Sequence, residues 1–297
     1  MKINDTQPDL GRVGVWTWPL VTAPAGHVRT AARAIEEMGY GAVWFPESRG
    51  REAIALSAML LAETSTLKVA PGIANIWARD PSAAAGAAMA LGEAWPGRFV
   101  LGLGVSHAPA VAARGHLYSR PLTYMREYLD AMEQAAFVGP TPELAVPVIL
   151  AALGPKMLQL AADRTDGAHP YFVPVAHTEF AREVMGPNAY LAPEQAVVLE
   201  DDPERARDLA RSHMRGYLLL DNYRRNLLRL GWPESDLDDG GSDAVVDAVV
   251  AWGSVEEIGD RIVAHHEAGA DHVSIQVITD SDEIPLAELE QLASHIL

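Results

Sequence analysis

Cysteine is absent from the chain of 297 residues. This absence excludes disulfide bonds, thiolate nucleophiles and cysteine-ligated metals, and it gives no support to a secreted scaffold held by disulfides. Long apolar runs are lacking as well. The polar first segment, MKINDTQPDLGR, has no signal-peptide core, and no later stretch reaches the length of a membrane-spanning helix. We therefore expect a cytoplasmic protein that does not associate with a membrane.

Positive charge is scarce relative to negative charge. The 23 Lys and Arg residues stand against 40 Asp and Glu residues, which gives a net charge of -17 at pH 7. A protein of this charge repels the phosphate backbone of a nucleic acid and the surface of an anionic membrane at long range. Neither is expected as a partner.

Short apolar runs rich in β-branched residues alternate along the chain with longer helical patterns, which is typical of βα units and a parallel sheet. Eight predicted strands end at Trp16, Phe45, Ala74, Gly104, Ala152, Phe172, Glu200 and Ile278. A doubly wound sheet could carry the same alternation, but eight units favour a closed barrel, which typically needs about 250 residues plus insertions. We predict one α/β domain over residues 1–297, a single (β/α)8 TIM barrel with long βα loops.

Two connections are longer than their neighbours and are candidate lids over a site. They run from His107 to Arg120 and from Pro174 to Pro193. Active sites of such barrels lie where strands end and helices begin, so both segments would border the site.

Glycines mark the end of the fourth predicted strand, in LGLGVSH from Leu101 to His107. His107 stands where G-x-G-x-x-G needs its third glycine, and the closing glycine of G-x-S-x-G is missing, so neither motif is present. In a barrel, these glycines would let a planar ligand approach the backbone, and His107 would point into the site. Alternatively, the glycines only fit the taper of the barrel and His107 is a solvated loop residue.

The segment ALGPKM, residues 152–157, joins the fifth predicted strand to a helix. Gly154 and Pro155 are typical of a helix start, whose free N–H groups can bind a phosphate, and Lys156 would add charge. The same residues would equally begin an ordinary helix. No metal site is predicted, because His265 and His266 are adjacent and point in different directions on their helix.

The third predicted strand lies within APGIANIWARDP, residues 70–81, and loses side-chain bulk at its end. This stretch belongs to a series of six, in order along the chain, that resembles the bacterial-luciferase-like superfamily of flavin and deazaflavin oxidoreductases. The resemblance covers most of the chain and is greatest to the branch that uses coenzyme F420, a deazaflavin. The six stretches are EEMGYGAVWFPES, GIANIWARDP, GRFVLGLGVSH, RPLTYMREYLDAM, AALGPKMLQLAADRTDGAHPYF and EAGADHVSIQVI.

This resemblance implies a (β/α)8 barrel with a non-prolyl cis peptide bond in a bulge at the end of the third strand. The matching bond here joins Gly72 and Ile73, and the bulge would contact the central ring of the cofactor. Small residues at Gly72, Ala74 and Asn75 would leave room for a flat tricycle. The alternative is a plain strand with a glycine bulge.

The resemblance also assigns the rest of the site. Glu47 matches an acidic cofactor contact after the second strand, but the next position, a histidine in a sugar-phosphate dehydrogenase of the family, is Ser48 here. A glutamate that relatives place after the fourth strand corresponds to His107. The remaining implied cofactor contacts are Gly104, Val105 and Ser106 beside the ring, Ala152, Leu153, Gly154 and Pro155 on the phosphate side, and Ala168 and His169 from the sixth strand.

The resemblance implies an enzyme that transfers a hydride between coenzyme F420 and a small organic substrate, in a homodimer. His107 is the first candidate for the acid or base, because an imidazole titrates near neutral pH, and Glu47 is the second. The alternatives are a monooxygenase that uses reduced FMN and a non-catalytic flavin-binding barrel. Since F420 is polyanionic and the protein is acidic, basic residues must compensate locally, and the candidates are Arg49, Arg51, Lys156 and Arg164.

Overall fold

The computed structural model describes residues 8–297, and in this range the strands form a closed parallel barrel. The strands are β1 (Val13–Trp16), β2 (Ala42–Phe45), β3 (Lys68–Pro71), β4 (Ala74–Asn75), β5 (Leu101–Gly104), β6 (Val148–Leu150), β7 (Gly167–Ala168), β8 (Tyr190–Leu191), β9 (Glu194–Val198), β10 (Val250–Trp252) and β11 (Val273–Val277).

Helices follow the strands and form the outer layer. They are α1 (Ala25–Glu37), α2 (Ala53–Glu63), α3 (Pro81–Ala94), α4 (Ala108–Ala112), α5 (Pro121–Glu133), α6 (Pro155–Arg164), α7 (Val175–Met185), α8 (Pro203–Leu218), α9 (Asp221–Arg229), α10 (Asp243–Val249), α11 (Val255–Glu267) and α12 (Leu286–Ile296). Within residues 8–297, none of these helices has both the length and the apolar character to span a bilayer.

The strands pair in two parallel groups, in the orders β10-β9-β11-β1-β2-β3 and β4-β5-β6-β7-β8. β3 and β4 are two halves of one strand position, interrupted at residues 72–73, and β8 and β9 are two halves of another, interrupted at residues 192–193. Hydrogen bonds cross the second gap, from the Ala192 N–H to the Ala168 carbonyl and from the Glu194 N–H to the Pro170 carbonyl. The eight predicted strands and the TIM barrel are therefore confirmed.

Apolar residues fill two layers, because the strands are covered on both faces. β1, β2, β5 and β9 are buried at every position. Trp16, Trp44 and Ile149 pack together with Ala70 in one cluster, and a larger cluster joins other strand residues to the helices. Such continuous burial explains the unbroken apolar runs of β1 and β2 in the sequence, whereas β9 begins with two buried polar residues, Glu194 and Gln195.

The longest excursion from the barrel differs from the predicted one. The segment from Pro174 to Pro193 is not a loop, because it contains α7 and β8. The helix was not predicted because its buried side includes the polar residues His177 and Thr178, which interrupt its apolar pattern. The long excursion instead lies between β9 and β10 and carries α8, α9 and α10. The other predicted lid, residues 107–120, contains the short helix α4.

Candidate active site

A cavity of about 390 Å³ opens at the carboxyl ends of the strands. It is the position at which barrel enzymes carry their chemistry. Ten of the fifteen residues predicted for the site line it: Glu47, Gly72, Ile73, Val105, Ser106, His107, Ala152, Leu153, Gly154 and His169. The strand ends that the sequence marks with glycine and other small residues therefore converge on one cavity.

The other five predicted residues lie behind the wall or beside it. Ala74 and Ala168 are completely buried, and Pro155 is an exposed first residue of α6. The Asn75 side chain accepts a hydrogen bond from the Trp77 N–H at 3.0 Å. A Cβ atom at Gly104 would collide with the Ile73 side chain, so this glycine gives Ile73 its place in the wall.

Gly72 forms a part of the wall that has no side chain. Its bond to Ile73 is cis, as the resemblance implies, and its carbonyl accepts a hydrogen bond from Trp16 Nε1 at 3.3 Å. A Cβ atom at Gly72 would lie 2.8 Å from Trp16 Nε1 and 3.0 Å from His169 Nε2. No larger residue fits at this position without displacing one of the two rings.

His169 presents a buried nitrogen without a partner at the same wall. Its Nδ1 donates to the Ala192 carbonyl at 2.7 Å, which leaves Nε2 as an acceptor, and this atom has no hydrogen-bond partner. The ring stacks on Trp44 with centroids 4.3 Å apart. Burial lowers the pKa of His169 to about 4, so the ring is neutral at pH 7. An orphaned acceptor of this kind is expected where a ligand supplies the missing N–H or O–H donor.

The carboxylate of Glu47 lines the cavity but is held from several sides. One oxygen accepts from the Asn75 N–H at 2.7 Å, and the other accepts from the Ala53 N–H at 3.2 Å and pairs with the Arg79 guanidinium. Arg79 also pairs with Glu52. These contacts join the ends of β2 and β4 to the start of α2, so the geometry favours a positioning role for Glu47 over proton transfer.

His107 and Asn222 form a polar pair at the cavity. Nδ1 of His107 lies 3.1 Å from the Asn222 side-chain oxygen, which can only accept, so Nδ1 carries the proton and Nε2 keeps its lone pair. Burial lowers the pKa of His107, although the contact with Asn222 acts in the opposite direction. A neutral imidazole with a free Nε2 is suited to act as a general base.

Sequence reasoning missed the wall formed by the end of α8 and the start of α9 entirely. Four residues of this segment line the cavity: Tyr217, Leu220, Asn222 and Tyr223. Tyr217 extends a row of aromatic rings. The Tyr171 ring centroid lies 4.9 Å from that of Trp16 and 5.3 Å from that of Tyr217. No known motif occurs in the segment. Its one distinctive sequence feature is the pair of tyrosines, Tyr217 and Tyr223.

A different arginine from the predicted ones lies at the start of α6. The Arg229 guanidinium, from α9, is 3.7 Å from the position that a Cβ of Gly154 would take. The predicted candidates Arg51 and Arg164 have other partners: Arg51 donates to the Leu20 and Ala23 carbonyls, and Arg164 pairs with Asp130 and Glu133. The other two candidates, Arg49 and Lys156, are exposed.

Comparison with known proteins identifies several relatives in sequence, of which two are described. The chain is 27% identical over 208 residues, 59% of this chain and 61% of the relative, to a 5,10-methylenetetrahydromethanopterin reductase of Archaeoglobus fulgidus. It is 29% identical over 180 residues, 50% of this chain and 52% of the relative, to a Mycobacterium tuberculosis protein assigned to the coenzyme F420-dependent oxidoreductases. The matches thus span about half to three fifths of the length of these relatives.

Solved structures share the fold along nearly the whole chain. An F420-dependent secondary alcohol dehydrogenase, in complex with an F420-acetone adduct, superposes with a TM-score of 0.77 at 15% identity, covering 96% of this chain and 99% of that chain. The oxygenating constituent of the Pseudomonas putida 3,6-diketocamphane monooxygenase, in complex with FMN, gives a TM-score of 0.68 at 17% identity, with coverage of 95% and 96%. The profile of one family matches residues 10–272. The chain therefore belongs to the luciferase-like monooxygenase family of enzymes, and the family predicted from its motifs is confirmed.

Proposed function

We propose that the protein is an oxidoreductase that transfers a hydride between coenzyme F420 and a small organic substrate. The unpartnered Nε2 of His169 beside Gly72 carries this proposal, since a flat heterocycle with an N–H group would fit against a wall without a side chain and supply the missing donor. F420 is preferred to FMN because one relative in sequence and one structural neighbour carry F420 in their names.

The residues of the cavity would hold the cofactor in two parts. Gly72, Ile73 and His169 would contact the ring, and the start of α6 with Arg229 would neutralise the anionic part. The first helical turn leaves backbone N–H groups that favour a negative charge. When bound, the deazaflavin supplies the acceptor or donor of the hydride.

The protein's own contribution to the reaction is orientation and proton transfer. His107 is the residue that would take a proton from a substrate hydroxyl or return it to a carbonyl, and Asn222 holds its ring in the required tautomer. Glu47 and Arg79 fix the loop after β2 and the end of the third strand, so they position the wall without exchanging a proton. His169 stays neutral and accepts a hydrogen bond.

Two alternatives remain distinct in their chemistry. A monooxygenase that uses reduced FMN would consume oxygen, and the FMN-bound structural neighbour favours this second candidate. A non-catalytic flavin-binding barrel would bind the cofactor and turn over no substrate. The cytoplasmic location and the homodimer stay predictions.

Turnover measurements separate these candidates. We expect anaerobic bleaching of the oxidised deazaflavin absorption by at least one member of a panel of small alcohols, and no oxygen uptake with reduced FMN and the same panel. Oxygen uptake with product oxygenation, and no deazaflavin turnover, would refute the F420 proposal in favour of the FMN monooxygenase. Binding of F420 without turnover across the panel would favour the non-catalytic barrel.

The role of Arg229 can be measured by binding alone. Arg229→Gln should weaken F420 affinity about tenfold and flatten its salt dependence, because an exposed cation is screened by ions within about 10 Å at 0.1 M salt. Arg164→Gln is the matched control, since Arg164 lies at the other end of α6 and pairs with Asp130 and Glu133. Equal effects of the two substitutions on F420 affinity would refute a specific contribution of Arg229 to cofactor binding.

A further inference from the structure

The segment that joins α8 to α9, here called the elbow and defined as residues 217–223, covers one side of the cavity. It belongs to the long excursion between β9 and β10, outside the repeating βα pattern of the barrel. A series of aromatic rings connects the elbow to the wall at Gly72. Trp16 donates to the Gly72 carbonyl, Tyr171 packs on Trp16, and Tyr217 of the elbow packs on Tyr171. An aromatic surface therefore runs from the predicted ring site to the elbow.

The hydroxyl groups of this surface are already bonded to one another. The Tyr217 and Tyr171 oxygens lie 2.8 Å apart, and the Tyr171 oxygen lies 2.8 Å from the Gln276 side-chain oxygen. Tyr217 therefore donates to Tyr171, and Tyr171 donates to the side-chain oxygen of Gln276, an atom that can only accept. Burial raises the pKa of Tyr217 to about 12, so the phenol stays neutral. These two residues offer a ligand the faces of their rings rather than charged or free polar groups.

Full charges are nearly absent from the lining of the cavity. Among the lining residues of the described chain, Glu47 is the one acidic residue and there is no lysine or arginine. The Glu47 carboxylate already accepts two backbone N–H groups and pairs with Arg79. Away from Gly154 and Arg229, a charged group brought into this cavity would lose water without gaining a counter-ion, which disfavours its binding by several kcal/mol.

One polar contact interrupts the apolar surface. The Asn222 side chain faces Nδ1 of His107 and also bonds to Tyr223, which leaves Nε2 of His107 as the acceptor for a ligand hydroxyl. The volume of about 390 Å³ must hold both the cofactor ring and the substrate. Since pockets for drug-sized ligands alone measure roughly 300 to 1,000 Å³, the substrate must be compact.

We propose that the elbow determines substrate specificity, and that it selects a compact, uncharged alcohol or carbonyl compound whose apolar body packs on Tyr217 and Tyr223. This inference rests on the proposed function, because it assigns the substrate of the same site. In the oxidation direction, bound F420 would supply the hydride acceptor: the substrate C–H bond would lose its electron pair as the hydride, the O–H proton would pass to Nε2 of His107, and a C=O bond would form. The carbonyl reduction is the reverse, with the proton returned to oxygen.

A matched pair of probes tests the proposal by calorimetry with the F420-loaded protein. Benzyl alcohol is neutral, and 4-(hydroxymethyl)benzoate is the same molecule with a carboxylate. We expect the carboxylate probe to bind at least tenfold more weakly than benzyl alcohol. We also expect Tyr217→Leu and Tyr223→Leu to weaken benzyl alcohol binding at least tenfold, whereas Leu219→Ala, an exposed position in the same elbow, leaves it unchanged.

A gain of function keeps the test decisive where a tyrosine variant does not fold. Asn222 is exposed at the start of α9, so Asn222→Lys is compatible with the fold and places a cation at the cavity. It should strengthen binding of 4-(hydroxymethyl)benzoate at least tenfold. Equal binding of the two probes to the wild type, or unchanged affinity in Tyr217→Leu, Tyr223→Leu and Asn222→Lys, would overturn the proposal. Failure of F420 to bind would refute the proposed function instead, and the same probes with the cofactor-free protein would still report the selectivity of the elbow.

Discussion

Replacement of Glu47 by glutamine distinguishes a positioning role from a catalytic one. The Glu47 and Arg79 side chains are 2% and 8% exposed, so their interaction is shielded from water. Glutamine keeps the shape of the side chain but removes its charge, and its amide nitrogen cannot accept a hydrogen bond. At least one of the three donors around Glu47 then loses its acceptor.

The expected loss of stability follows from these contacts. A hydrogen bond to a charged group contributes about 1.5 to 3 kcal/mol, and an unsatisfied buried donor costs about 1 to 3 kcal/mol. Breaking a buried ion pair typically costs about 3 to 5 kcal/mol, and Glu52 remains as a partner for Arg79. We therefore expect Glu47→Gln to lower the free energy of unfolding by about 3 kcal/mol.

Urea unfolding followed by circular dichroism measures this difference, and Glu52→Gln is the control. Glu52 is 49% exposed and accepts from the Ala55 N–H at the start of α2, so its substitution should cost about 1 kcal/mol. An unfolding free energy of Glu47→Gln within about 0.5 kcal/mol of wild type, together with a large fall in turnover, would refute the positioning role and make Glu47 an acid or base.

Three further outcomes are expected. His107→Gln should lower kcat about 10² to 10⁴-fold and change F420 affinity less than threefold, since it removes the base but no contact to the ring; unchanged single-turnover rates would exclude His107. Gly72→Ala should destabilise the fold by about 1 to 3 kcal/mol, because the added Cβ would contact the rings of Trp16 and His169. The control Gly86→Ala, which adds a Cβ in open space on α3, should stabilise the fold by about 0.5 to 1 kcal/mol. Equal unfolding midpoints of the two variants in urea would contradict this reasoning. Burial raises the pKa of Glu194 from 4.5 to about 8, so the folded protein holds a proton that the unfolded chain loses, and stability should fall by up to about 1.4 kcal/mol per pH unit between those values. Glu194→Gln should abolish that slope in urea unfolding across this pH range, and an identical slope in both proteins would show that Glu194 is not its source.

The strands and the small residues at their ends could be predicted from the sequence because their causes are local. A parallel strand covered on both faces is mostly apolar, and β1 and β2, which are apolar throughout, therefore produce continuous apolar runs. The close approach of Gly72 to Trp16 and His169 permits no side chain, so it is visible in the sequence as a glycine. β10 was not predicted, because it follows α10 without an intervening residue and the apolar pattern of the helix continues into it.

The charged and aromatic parts of the site could not be predicted, because they depend on contacts between distant segments. Arg51 follows a strand end, as the sequence indicates, but the Leu20 and Ala23 carbonyls bind its guanidinium. Arg229 lies on a different helix and reaches Gly154 only in the folded chain. α8 has the pattern of an ordinary surface helix, so nothing local indicates that Tyr217 at its end reaches the cavity.

Titration of the purified protein with F420 and, separately, with FMN tests the central claim most directly, with protein tryptophan fluorescence as the signal. Trp16 lies in the wall of the cavity, so a bound ring should quench part of this emission. The account predicts saturable binding of F420 at least tenfold tighter than that of FMN, and loss of F420 binding in Gly72→Ala. Tighter binding of FMN, or F420 binding that Gly72→Ala leaves unchanged, would contradict the placement of a deazaflavin against this wall.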